Sequence, residues 1–127
     1  MTTQDKKELA VNLKHHGHNC AQAVLCAFTE ESGLPAETLN ALGASFGVGM
    51  GCMEGTCGAL IAAEMLLGLK EAKNGPVIQK ARALHTAFTE KCGASLCKDL
   101  KGRDTGIPIC PCDDCVRNAA ELAEKFM

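Results

Sequence analysis

Between Gly47 and Leu69 the chain reads GVGMGCMEGTCGALIAAEMLLGL. Five glycines and two cysteines fill the first dozen of these residues, and an almost unbroken apolar run follows. A helix that is apolar nearly all round has no face to offer water, so the segment predicts a buried central helix from Thr56 to about Leu69. The rest of the chain must pack around it. The loop in front carries more glycine than a simple connection needs, and Cys52 and Cys57 stand at the mouth of the buried helix.

The flanking sequence repeats with helical period. Leu, Ala, Glu and Lys dominate, β-branched residues are few, and no segment alternates with period two. A first helix is expected from Thr3 to His16, with Leu9 and Leu13 on one face and Gly17 as its stop. Asn19 caps a second, with Ala21, Val24, Leu25 and Phe28 on one side and Gly33 at its end. A third starts near Pro35 and carries Leu39, Leu42 and Phe46. In NGPVIQKARALHTAFTEKCG, Pro76 opens a helix, Gly93 closes it, and Val77, Ala81, Leu84, Phe88 and Cys92 form its stripe. A short turn of helix follows around Ser95–Lys101. The last helix begins at about Pro111, with Val116, Ala119, Ala120, Ala123 and Phe126 facing inward. The expected fold is all-α: one domain over 1-127, a bundle of about five to six helices with the Gly/Cys-rich loop before its central helix.

A chain of 127 residues can bury a real core without crosslinks. Net charge −2, with no Trp and no Tyr, argues against nucleic acid, since neither phosphate neutralisation nor a stacking platform is available. No apolar run is long enough to suggest a membrane span. The N-terminal segment lacks the apolar core of a secretory signal, so a cytoplasmic location is expected. No Ser/His/Asp grouping and no phosphate loop is present. GVGMGCMEG is no dinucleotide fingerprint, because no strand precedes it.

Nine cysteines are the anomaly for such a chain, and as a set they point to metal binding or thiol redox chemistry. Four of them fall at expected helix starts. Cys20 follows the cap Asn19, Cys57 follows the cap candidate Thr56, Cys97 lies in the first turn of the short helix whose cap candidate is Ser95, and Cys112 follows Pro111. First-turn N–H groups and the positive end of the helix dipole stabilise a thiolate, or the sulfur of a bound cluster. Convergence of the four starts would make one pocket of thiolates, with Cys57 its most acidic member. Cys26 and Cys92 lie within helices and read as core. Cys110, Cys112 and Cys115 form CPCDDC, which contains one C-x2-C chelate spacing. His15, His16 and His18 precede Cys20 and would be ligands of last resort. His85 reads as structural.

Taken together, NCAQAVLCAF at 19–28, FGVGMGCMEGTCGA at 46–59, LGL at 67–69, CKDL at 97–100 and C-x3-V-x2-A at 112–119 resemble the family named for its C-GCAxxG-C-C cysteine pattern, whose members are described as redox-active. The resemblance spans nearly the whole chain. It implies that Cys20, Cys57, Cys97 and Cys112 are the characteristic cysteines. Ala62 stands where the family pattern has a glycine, and Cys115 competes with Cys112 for the fourth role. The pattern also looks distantly like part of the split-Soret cytochromes, which carry an iron–sulfur centre besides haem.

Three readings follow. The leading one is a small redox protein binding an iron–sulfur cluster through Cys20, Cys57, Cys97 and Cys112, with Cys52, Cys110 or Cys115 as substitutes, for electron transfer or redox sensing. The second is a metal-free thiol–disulfide protein working through Cys57, Cys112 and Cys115. The third is a structural zinc protein. Whether the chain is an enzyme is left open. A redox partner protein is expected, and a homodimer is compatible with the composition.

Overall fold

The computed structural model describes residues 1–127 and contains eight right-handed α-helices, with no strand beyond one isolated bridge. They are α1 (Thr3–His15), α2 (Cys20–Cys26), α3 (Thr29–Ser32), α4 (Ala36–Gly43), α5 (Gly58–Glu71), α6 (Ile78–Cys92), α7 (Cys97–Lys101) and α8 (Cys112–Phe126). Helix α5 is the expected centre, packed between α2 and α8 and touching α6. Helix α1 lies across α8 and α2, and α4 covers the far side of α2. One continuous core joins them. No helix is long and apolar enough to cross a membrane.

All-α is the architecture found, with more helices than the five to six expected. The additional helix comes from a break. The segment capped by Asn19 ends at Cys26 and restarts at Thr29, because Phe28 leaves helical geometry (φ −122°, ψ 40°). The break turns Phe28 fully into the core, with the Lys6 ammonium 4.8 Å from its ring centroid. Lys6 is itself buried and ion-pairs with Glu31, so a cation–π contact and a carboxylate share one buried charge.

The predicted stops hold. Gly17, Gly33 and Gly93 all take positive φ at or just beyond helix ends. Asn19 caps α2 in a reciprocal box, accepting from the Gln22 N–H at 2.8 Å while its own N–H donates to Gln22 Oε1 at 2.9 Å. Two expected caps fail. Helix α5 starts at Gly58 with Cys57 itself at the cap position, and α7 is preceded by Leu96, so neither Thr56 nor Ser95 caps a helix. Both residues serve a short antiparallel link instead. Thr56 bridges Leu96, the Cys57 N–H donates to Ser95 O at 2.8 Å, and the Cys97 N–H donates to Gly55 O at 3.0 Å. Leu42, expected inward, is exposed on α4, which ends one residue later.

The glycine loop coils the opposite way. Val48, Gly49, Met50 and Gly51 have φ of 54°, 56°, 62° and 83°, a left-handed turn in which two residues bear side chains. Val48 is β-branched, and such a residue in the left-handed region costs on the order of 1–3 kcal/mol.

Candidate thiol and metal centre

Each of the four helix-start cysteines keeps its place. Cys20, Cys97 and Cys112 are the first helical residues of α2, α7 and α8, and Cys57 holds the cap position of α5. Their side chains converge. A cavity of about 10 Å³ is lined by Cys20, Cys57, Cys97 and Cys112, together with Cys110 and Cys115. Val48, Gly58, Leu100 and Lys101 complete its wall.

The glycines explain how four helix starts come so close. A Cβ on Gly58 would lie 2.7 Å from Cys20 Sγ and 2.4 Å from Phe46 O. On Gly49 it would meet Cys97 Cβ at 2.4 Å, and on Gly47 it would strike Asn19 Cβ at 2.6 Å. Contacts below 3.0 Å leave no room for even a methyl group, so three glycines let the loop press against Cys97, against Cys20 and against the cap of α2. The loop is the clamp of the site.

The thiols shift one another in pairs. The Cys112 thiol beside Cys20 does most to lower the Cys20 thiol from its usual 9.0 to about 6. The Val48 and Ala21 N–H groups and Lys101 act in the same direction, while burial opposes them. Cys112 is correspondingly pushed up, first by holding the shared proton beside Cys20 and then by burial. Cys115 plays that part for two neighbours: its thiol lowers Cys57 and brings Cys92 to about 6, and its own pKa rises. The Ala59 and Leu60 N–H groups also lower Cys57, although neither closes into a capping hydrogen bond. Burial raises Cys97, and it raises Cys110 to about 11. Cys57 is lowered, but chiefly by a neighbouring thiol and without the Thr56 cap the expectation relied on, and with Cys20 and Cys92 lowered to about 6 nothing marks Cys57 as the most acidic member.

The site opens on one side. Cys20 and the half-buried Cys112 face a vestibule of about 260 Å³ that is also lined by Lys14, His18 and Lys101. Lys14 pairs with Asp113 at 3.2 Å, whereas Lys101 pairs with no carboxylate and is free to offset thiolate charge.

Cys92 departs from the sequence reading. It is buried at the end of α6 as expected, but its sulfur lies with those of Cys110 and Cys115, all three within 4.8 Å of one another. Buried thiols so arranged can hold a metal ion. The available signal was its position about four turns along a stripe that ends beside a cysteine-rich segment, and that pattern describes ordinary core equally well. Cys26 is buried elsewhere, its thiol directed at Asn40 Oδ1 (3.4 Å) and Ala36 O (3.8 Å). Cys52 is exposed on the loop and does not line the cavity. The histidines are engaged locally: His15 Nε2 contacts Asp113 Oδ2 at 2.8 Å, His16 Nδ1 donates to Asn12 O, and His18 Nδ1 donates to Leu13 O.

The profile of a family described as "Putative redox-active protein (C_GCAxxG_C_C)" matches residues 18–126. No curated protein and no solved structure matches the chain.

Proposed function

The chain belongs to the C_GCAxxG_C_C family of redox-active proteins, and we propose that it binds an iron–sulfur cluster through Cys20, Cys57, Cys97 and Cys112 for electron transfer or redox sensing. The observation that carries this reading is the lining of one buried cavity by all four thiols. The donor set is chemically apt, since iron–sulfur clusters are held by cysteine thiolates and tuned by hydrogen bonds to sulfur. When bound, the cluster supplies a one-electron couple. The protein's own contribution is to hold the thiols deprotonated and shielded. Val48 and Ala21 direct N–H groups toward Cys20, Ala59 and Leu60 direct theirs toward Cys57, and Lys101 and Lys14 place positive charge at the open side. The glycine contacts set how near the backbone stands to the sulfurs. A cavity of about 10 Å³ is smaller than a cluster, so the four side chains must swing outward on loading. Electrons would pass to a redox partner protein.

Anaerobic reconstitution with iron and sulfide tests the reading. Wild-type protein is expected to retain both, while Cys20→Ser, Cys57→Ser, Cys97→Ser and Cys112→Ser each retain several-fold less and Cys26→Ser keeps its full content. Wild-type protein that retains neither iron nor sulfide would remove the cluster from the account.

One observation favours a second reading, metal-free thiol–disulfide exchange. Cys20 and Cys112 form an acidic thiol beside a protonated partner at the mouth of the vestibule. The Cys20 thiolate would attack a partner's disulfide and expel one thiolate. Cys112 would then give up its proton, attack the mixed disulfide and release the second thiolate, leaving a Cys20–Cys112 disulfide and a reduced partner.

A further inference from the structure

We propose that Cys92, Cys110 and Cys115 form a second metal site, adjoining that of Cys20, Cys57, Cys97 and Cys112, which holds one thiophilic divalent cation of the zinc class through three thiolates. The three sulfurs lie within 4.8 Å of one another. Tetrahedral zinc with bonds of about 2.3 Å sets its sulfurs about 3.8 Å apart, so the triad closes on an ion by a contraction of about 1 Å at most.

The three come from different segments that are held independently of any metal. Cys92 is the last residue of α6, and the Gly93 that follows turns the chain with φ 97°. Ile109 packs on that glycine, at 3.1 Å from where its Cβ would be. The Ile109 and Cys110 N–H groups both donate to Leu100 O, at 3.0 and 3.3 Å, which fixes Cys110 against α7. Cys115 lies in the first turn of α8. One turn further along the same helix, Asn118 Nδ2 donates to Cys92 Sγ at 3.3 Å. An amide donor on a sulfur that already has two sulfur neighbours is the kind of outer contact that orients a metal ligand.

The Cys115 thiol also points to Cys110 O at 3.6 Å, which holds its sulfur on the side of Cys110. A cation at the centre of the triad would bind all three sulfurs at once. All three residues are buried. Lys91, ion-paired with Glu121, also stands near enough to Cys92 to favour its thiolate. Cys110 and Cys115 also line the cavity of Cys20, Cys57, Cys97 and Cys112, whereas Cys92 does not, so the triad adjoins the first grouping and Cys92 is the thiol that sets it apart.

The test uses full-length, reduced, metal-free protein under argon, titrated with cadmium as the probe and read by ¹¹³Cd NMR and by chelator competition. It does not depend on any iron–sulfur cluster. One cadmium in an environment of three sulfurs should be lost from Cys92→Ser and from Cys110→Ser, with at least about a hundredfold weaker binding of that equivalent. The same resonance should persist in Cys20→Ser and Cys26→Ser. Circular dichroism selects the variants that keep the native helix content, and Cys110, on a loop, provides the second route if Cys92→Ser unfolds. Undiminished stoichiometry in both triad variants overturns the proposal. So does the loss of every bound cadmium on Cys20→Ser, which would mean a single shared site.

Discussion

At the scale of single residues, the site is organised by thiols that share protons. Cys20 titrates near 6 because the Cys112 thiol lies beside it, and Cys112 keeps its proton to higher pH for the same reason. The sign of the linkage follows. Between about pH 6 and 9 the folded pair carries one proton, whereas the unfolded pair, with thiols near 9.0, carries two. The unfolded state binds more protons there, so stability rises with pH. Above 9 the unfolded thiols lose both protons while Cys112 retains one, and stability falls. Cys92 and Cys115 repeat the pattern. Reduced, metal-free protein is therefore expected to show a higher urea midpoint at pH 8 than at pH 6. A flat profile across that interval would refute the proton sharing. Val48 gives a second prediction at this scale. Its side chain is exposed and its backbone is left-handed, so Val48→Gly should raise stability by about 1 kcal/mol, seen as a higher melting temperature.

At the scale of elements, the sequence announced the helix starts better than the contacts between them. Asn19, Gly33 and Gly93 read correctly because capping and left-handed stops depend on residues close in sequence. Thr56 and Ser95 look like caps by type, but the antiparallel link between them claims their backbone, and only tertiary structure reveals that. Cys92 was hidden for a similar reason: a buried cysteine on an apolar stripe looks the same whether its neighbours are leucines or two further thiols. The glycines were legible as a sign of close approach, though not of what they approach. Two substitutions test the clamp. Asn19→Ala removes the reciprocal cap and the Asn19 Nδ2 contacts to Gly43 O and Ala44 O, and should cost about 1–2 kcal/mol in urea unfolding. Gly58→Ala adds a methyl 2.4 Å from Phe46 O and 2.7 Å from Cys20 Sγ, so it should lower stability by about 1–3 kcal/mol and also change the rate of Cys20 alkylation in the protein that remains folded. Unchanged reactivity at Cys20 in folded Gly58→Ala would mean that the close approach of the α5 start does not govern access to the sulfur.

At the scale of the whole molecule, the fold gathers seven of nine cysteines at one end of the central helix and leaves Cys26 and Cys52 apart. An Ala-rich core makes this feasible. Ala21, Ala23, Ala59, Ala62, Ala63, Ala119, Ala120 and Ala123 are all essentially inaccessible, and small side chains let α2, α5 and α8 approach closely enough for their N-terminal ends to meet. Ala62, at the position where the family pattern carries glycine, fits into that packing without exposure. The central claim is that Cys20, Cys57, Cys97 and Cys112 act together on one inorganic centre. X-ray absorption at the iron edge of anaerobically reconstituted protein tests it most directly. The account predicts iron surrounded by sulfur with a resolved iron–iron distance, and loss of that signature in Cys97→Ser, the buried member with no thiol partner. Iron bound only through oxygen or nitrogen, or an unchanged spectrum in Cys97→Ser, would contradict it.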